Sequence, residues 1–286
     1  MITVDDDAAT VRSLVARQFP EWADLPVTLV PSAGTDNTVC RLGSDLAVRL
    51  PRAAFGVRQL DFEREWLPRL GAGLPVAVPE IVALGKPDES RALPWAVYRW
   101  LVGETPDHGV DQCRLAAELG AFVADLRKID AAGAPSGYRG VSIRTRDPYF
   151  LEWAAKAADL VDTSALIAAW RRALAAPEWD GPPVWSHGDL LPGNVLVRDG
   201  RLAAVIDFGA AGVGDPACDA LAAWTLFDAD ARAVFRAAGD FDDGMWARGR
   251  GWALNFVSAL THYRDTNPIL AAIARRAIDA VLAEPA

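Results

Sequence analysis

Apolar residues recur at helical spacing near the start of the chain, where Val11, Leu14, Val15 and Phe19 share one face of a helix predicted over residues 5–19. Acidic residues crowd its beginning, as the helix dipole favours. The pattern then shortens: residues 27–30, 38–42 and 46–50 are apolar runs separated by turn residues, and they predict three strands. Helical spacing returns over residues 57–70 through Leu60, Trp66, Leu67 and Leu70, with Pro68 interrupting the helix late. Residues 94–102 read as a buried strand, and Gly103-Glu104 after them as the start of a linker. From residue 112 to 129, Leu115, Leu119, Phe122, Val123, Leu126 and Ile129 line one face of a strongly amphipathic helix. Residues 144–153 lead into helical residues 154–160, and a helix over 165–174 follows caps at Asp162 to Ser164. The last third is helical, with Trp246, Trp252, Phe256, Leu260 and Tyr263 spaced partly as core.

Between these helical tracts lies a stretch of a different kind, residues 184–219. Residues 195–198 and 201–206 are short runs rich in Val, Leu and Ile, and Asp199-Gly200 between them is a strong hairpin signal, because a type I′ turn needs positive φ at both central residues. Counting outward from that turn pairs Asn194 with Val205. Asp207 lies two residues further on, so its side chain is predicted to point the same way as that of Asn194. Their Cβ atoms would then be diagonal neighbours on the order of 7 Å apart, a span that two oxygen ligands of one hard cation can bridge. Asp189, in a loop with Pro192 and Gly193, can reach the same end of the hairpin.

His187-Gly188-Asp189, Asn194 and Asp207-Phe208-Gly209 resemble the catalytic loop and metal-binding segment of the aminoglycoside phosphotransferase family, relatives of protein kinases. The resemblance covers nearly the whole chain. It implies an α+β, two-lobe, protein-kinase-like fold: a small N-terminal antiparallel sheet lobe that binds nucleotide, residues 1–102, and a larger, mainly helical C-terminal lobe for catalysis and acceptor binding, residues 103–286. It also implies an ATP- or GTP-dependent, Mg2+-dependent transfer of the γ-phosphate to a hydroxyl of a small molecule. Carried over residue by residue, Asp189 orients or deprotonates the acceptor, and Asn194 and Asp207 are metal ligands. His187 and Asp219 support the catalytic loop, Asp219 by bracing its backbone. Ser32 and Gly34 fall in the loop over the phosphates, although that loop holds a single glycine. Arg49 takes the place of the usual phosphate-gripping lysine, a departure that exchanges a point charge for a planar fork. Glu63 matches the glutamate that pairs with it, with Glu65 as the competing choice, and backbone groups near Arg99 and Leu101 would hydrogen-bond adenine.

The 286 residues are 51% hydrophobic and 23% charged, an ordinary globular composition long enough for two lobes. A formal net charge of −9 disfavours non-specific binding to nucleic acid or an anionic membrane and suits a cationic small molecule. Cys40, Cys113 and Cys218 show no pairing pattern, so a reduced, cytoplasmic setting is expected, for a monomer or a homodimer. No apolar run approaches membrane-spanning length. Among acceptors, an aminoglycoside is expected first, because Asp228, Asp230, Asp240, Asp242 and Asp243 add acidic groups downstream of the site. Trp224, Trp246 and Trp252 would suit a bulky apolar acceptor such as a macrolide, and choline, homoserine or sugars are further alcohols that the same fold phosphorylates. Two other classes compete: a metallohydrolase built on His187, Asp189, Asp207 and Asp215, and a catalytically silent nucleotide-binding module. His108 and His262 stand alone in the sequence and read as structural residues.

Overall fold

A computed structural model describes residues 8–31, 36–106 and 109–284, which divide into two compact units. The first takes in the chain up to Ala72, together with Ala77–Gly103 and Ala204–Gly209. Its elements are helix α1 (Ala8–Gln18), strands β1 (Val27–Leu29), β2 (Asn37–Leu42) and β3 (Leu46–Pro51), helix α2 (Ala54–Gly73), and strands β4 (Ile81–Gly85) and β5 (Trp95–Arg99). The strands form an antiparallel sheet in the order β1-β2-β3-β5-β4. Side chains alternate across a strand, and here the alternation separates two cores. Val48 and Leu50 of β3, with Trp95 and Val97 of β5, pack on Val11, Leu14 and Val15 of α1. Ala47, Ala96 and Tyr98 face the other way and pack on Leu60 of α2. Arg49 is two residues from Ala47, so it too belongs to the α2 face.

Helix α2 does not stop at Pro68, where the sequence predicts its interruption. A proline inside a helix costs about 3 kcal/mol. Trp66 and Leu67 on one side and Leu70 on the other are buried, and each such burial is worth roughly 1.5–3 kcal/mol, so packing holds the helix through the defect. Strand β4 is an edge strand that exposes Val82 and Leu84, and its apolar residues fall on both faces, which hides the alternation a strand is recognised by.

The second unit is mainly helical. Helix α3 (Gln112–Leu126) opens on Asp111, whose side chain accepts from the Arg114 N–H, and it buries the apolar face read from its sequence. Helices α4 (Asp147–Lys156) and α5 (Thr163–Ala175) follow, with Phe150 stacked on Trp170 at 4.0 Å and the Trp170 Nε1–H donating to Asp147. Strand β6 (Val184–Ser186) comes next, then the hairpin of β7 (Val195–Arg198) and β8 (Arg201–Val205), then β9 (Gly212–Gly214), which pairs with β6. The hairpin turns at Asp199 and Gly200 with φ of 52° and 72°, the positive values its sequence predicts. Helices α6 (Ala222–Leu226), α7 (Ala229–Ala238), α8 (Asp243–Leu254), α9 (Val257–His262) and α10 (Pro268–Leu282) complete the unit. Small antiparallel sheet and larger helical unit together are the α+β class expected from the resemblance. Cys40, Cys113 and Cys218 form no disulfide, and among the described residues no helix is long and apolar enough to cross a membrane.

Candidate active site

In the first unit the strand alternation brings Arg49 against Glu63. The Arg49 Nη1–H groups donate to both Glu63 oxygens at 2.9 Å, and the Tyr98 hydroxyl donates to Glu63 Oε2 at 2.6 Å. Glu63 is 1% exposed, whereas Glu65 faces solvent. Burial by itself would depress the Arg49 pKa, but the Glu63 carboxylate, with Tyr98 and Asp207 adding to it, holds the guanidinium above its ordinary value. The Tyr98 hydroxyl is pushed up by burial and by the same carboxylate. Among the described residues Arg49 bonds Glu63 through Nη1 alone, which leaves the Nε and Nη2 donors for other oxygen atoms. Asp207, at φ 62°, adopts a left-handed backbone that a non-glycine residue seldom takes, and its Oδ1 accepts from the Gly209 N–H at 3.4 Å.

Backbone positions at the end of β5 are partly used. The Arg99 N–H donates to Glu80 O and the Trp100 N–H to Asp45 O, while the Arg99 side chain pairs with Glu80 at the surface. Leu101 follows the strand and is half-buried. Ser32, Gly34 and His108 lie outside the described residues.

In the second unit the loop after β6 is fixed from beneath. Asp219 is fully buried and accepts from the His187 N–H at 3.0 Å and the Gly188 N–H at 2.7 Å. Burial raises its pKa, against the pull of His187 and of those two N–H donors. Gly188 has φ 76°, and a Cβ there would stand 2.8 Å from Ala210 O, so the close turn requires glycine. The Asp189 N–H donates to His187 Nδ1, so a neutral His187 ring carries its proton on Nε2.

The Asp189 carboxylate is held at both oxygens. Oδ1 pairs with Arg139 at 2.5 Å, and Oδ2 accepts from Asn194 Nδ2 at 3.2 Å. Asn194 sits in the 3-10 turn Pro192–Asn194, just before β7, and its Nδ2 also donates to Asp189 O at 2.8 Å. With Nδ2 turned to Asp189, Oδ1 is the atom left for a cation. Arg139 was not singled out from sequence. Residues 135–140 have no periodic pattern, and they are carried to the site by backbone bonds to β9: Val213 N–H to Pro135 O, Gly137 N–H to Val213 O, and Asp215 N–H to Gly140 O.

Asp189 also borders a cavity of about 460 Å³ within the second unit. Aromatic rings of Tyr138, Tyr149, Trp153, Trp252, Phe256 and Tyr263 line it, with Arg139 and Arg146, and among the described residues Asp189 is the one carboxylate on its wall. His262, read from sequence as structural, is on this wall too and meets Trp153 edge to face. Residues 141–163, for which the sequence suggested no role, supply Arg146, Tyr149 and Trp153.

The acidic residues expected to favour a cationic acceptor are used elsewhere. Asp228 and Asp242 cap α7 and α8, Asp243 pairs with Arg236, Asp230 lies in the first turn of α7, and Asp240 turns the chain after it. Of the three tryptophans, Trp252 reaches the cavity; Trp224 and Trp246 pack on each other at 4.8 Å between ring centroids. Asp215 is sealed in a buried pair with Arg248 at 2.7 Å and caps the turn Pro216–Leu221, so it is not free to serve as the fourth ligand of a metallohydrolase. Asn194 Oδ1 in the second unit and the Asp207 carboxylate in the first are each hard oxygen donors of the kind Mg2+ prefers.

The family model described as "APH: Phosphotransferase enzyme family" matches residues 28–252. Solved structures are similar over nearly their whole length. The GDP and kanamycin complex of APH(2")-IIia is 22% identical with a TM-score of 0.73, covering 95% of this chain and 97% of that one. The GDP complex of aminoglycoside 2'-phosphotransferase-IIIa is 22% identical with a TM-score of 0.74, covering 97% and 99%. The macrolide 2'-phosphotransferase MphH from Brachybacterium faecium is 26% identical with a TM-score of 0.63, covering 96% and 98%. No curated protein matches the chain.

Proposed function

Because the chain belongs to the APH phosphotransferase enzyme family, we propose that it transfers the terminal phosphoryl group of ATP or GTP to a hydroxyl of a small molecule. The observation that carries this reading is Asp189: a carboxylate fixed at both oxygens on the wall of a cavity large enough for a drug-sized alcohol. Asp189 accepts the acceptor's hydroxyl proton and aims its oxygen. Arg139 and Asn194 hold the carboxylate in one orientation, so little reorganisation is needed at the moment of transfer. His187 and Asp219 keep the loop backbone in place.

In the first unit Arg49 grips phosphate oxygens through Nε and Nη2 while Glu63 holds its other edge, which is how an arginine does the work of a lysine here. Asn194 and Asp207 are the residues that would hold Mg2+, whose charge offsets that spreading over the phosphoryl oxygens. Leu101 contributes a backbone group to the base, and Arg99 ends the strand that carries it. Ser32 and Gly34 belong to the loop assigned to the phosphates. GDP in three of the similar structures and ATP or ADP in others support either nucleotide as donor.

Of the acceptors named for those structures, an aminoglycoside is a polycation, and the cavity wall here pairs two arginines with a single carboxylate. That balance, with its six aromatic rings, favours a bulky acceptor with apolar faces. The test is nucleoside diphosphate release coupled to a panel of aminoglycosides, macrolides and metabolite alcohols. Mg2+-dependent release with one class, lost in Asp207→Ala, is expected; release of inorganic phosphate from simple phosphate esters without nucleotide would contradict the proposal.

A further inference from the structure

We propose that the cavity beside Asp189 takes an acceptor which carries, besides its hydroxyl, a flat apolar body and one anionic oxygen group received by Arg146. The inference rests on the phosphotransferase reading and concerns what the acceptor looks like. Two guanidinium groups line the cavity, and they differ in one respect. Arg139 is neutralised by Asp189 at 2.5 Å, whereas Arg146 has no carboxylate within 4 Å among the described residues and keeps an uncompensated charge on the wall.

Arg146 is also held ready. Its Nη2–H donates to Tyr138 O at 2.9 Å, and its guanidinium lies 4.8 Å from the Tyr138 ring centroid and 5.7 Å from that of Trp252. Rings on a guanidinium's faces leave its edge as the binding side, and that edge matches the geometry of a carboxylate or phosphate.

The second observation is independent of charge. Buried polar atoms almost always have hydrogen-bond partners. Among the described residues seven buried side-chain nitrogen or oxygen atoms have none, and three of them belong to this one wall: Arg146 Nε, Trp252 Nε1 and Asn255 Oδ1. Two of the three are N–H donors, and Trp252 is 1% exposed. The two N–H donors beside an arginine without a carboxylate partner suit a ligand that brings oxygens and negative charge, and Asn255 Oδ1 is left to accept from a hydroxyl of that ligand. The neighbouring rings of Tyr138, Trp153 and Phe256 specify its apolar body.

The test uses the full chain and calorimetric titration with four matched alcohols: 4-(hydroxymethyl)benzoate, its methyl ester, 4-(aminomethyl)benzyl alcohol and 4-(hydroxymethyl)phenyl phosphate. At least one anionic probe is expected to bind about tenfold or more tightly than the ester, with the amine weakest. The two anionic arms distinguish a carboxylate from a phosphate as the group received. Arg146→Gln is expected to abolish the preference and Arg146→Lys to keep part of it. The wild-type order requires no variant to fold. Equal binding of all four, tighter binding of the amine, no binding of either anion at millimolar concentration, or an unchanged preference in Arg146→Gln would each overturn the inference. Mg2+-nucleotide titration of the same wild-type sample separates the two readings: nucleotide binding without anion preference sinks only the acceptor's charge, while absent nucleotide binding sinks the phosphotransferase reading beneath it.

Discussion

Glu63 has no solvent to fall back on: it is buried under Arg49 and Tyr98 and accepts from both. Glu63→Gln keeps the shape but removes the charge that holds Arg49. We expect KM for nucleotide to rise about tenfold or more, in line with the loss of a charge-assisted bond worth about 1.5–3 kcal/mol, while the fold persists by circular dichroism. An unchanged KM would detach Arg49 from phosphate binding. Asp219 has a pH signature. Burial raises its pKa, so between the ordinary aspartate range and the raised value the folded chain holds a proton that the unfolded chain has released. That contribution to stability is complete below the unfolded pKa and disappears as pH rises through the folded one. The melting-temperature advantage of wild type over Asp219→Asn is therefore expected to shrink with rising pH; an advantage that grows would show the sign to be wrong. At this scale the sequence was informative where residues are close along the chain. Asp189, Asn194 and Asp207 could be singled out from their spacing about one turn. Arg139 and Arg146 could not, because each meets its partners across a fold that no local pattern encodes.

Elements were legible in proportion to their periodicity. Helix α3 buries Leu115, Leu119, Phe122 and Val123 on the face its spacing predicts, and the hairpin turns at Asp199-Gly200. Strand β4 and the β6-β9 ribbon were not anticipated, since edge position hides alternation in the first and three residues are too few to show any in the second. What joins elements is equally silent in the sequence. Arg248 of α8 ties Asp215, at the start of the turn that presents Asp219, and also donates to Pro177 O. Both partners are almost fully buried, so Arg248→Met would leave an unpaired carboxylate inside. A loss of about 3–5 kcal/mol in urea unfolding is expected. A loss below about 1 kcal/mol, the size of an exposed pair, would mean that the carboxylate finds water.

At the scale of the whole molecule, a net charge of −9 says little about the acceptor, because the charge on the cavity wall runs the other way. Global acidity favoured a cationic ligand, and the local balance of two arginines against one carboxylate favours the opposite. Local charge decides, since interactions between exposed charges fall off over about 8 Å at physiological salt. The catalytic claim is tested most directly by following an acceptor that gains one phosphoryl group by mass spectrometry, with wild type and Asp189→Ala compared at saturating Mg2+-nucleotide. A fall in kcat of about 10²–10⁴-fold with nucleotide affinity retained is the expected result. Turnover by Asp189→Ala at more than about a tenth of the wild-type rate would contradict the role assigned to that carboxylate.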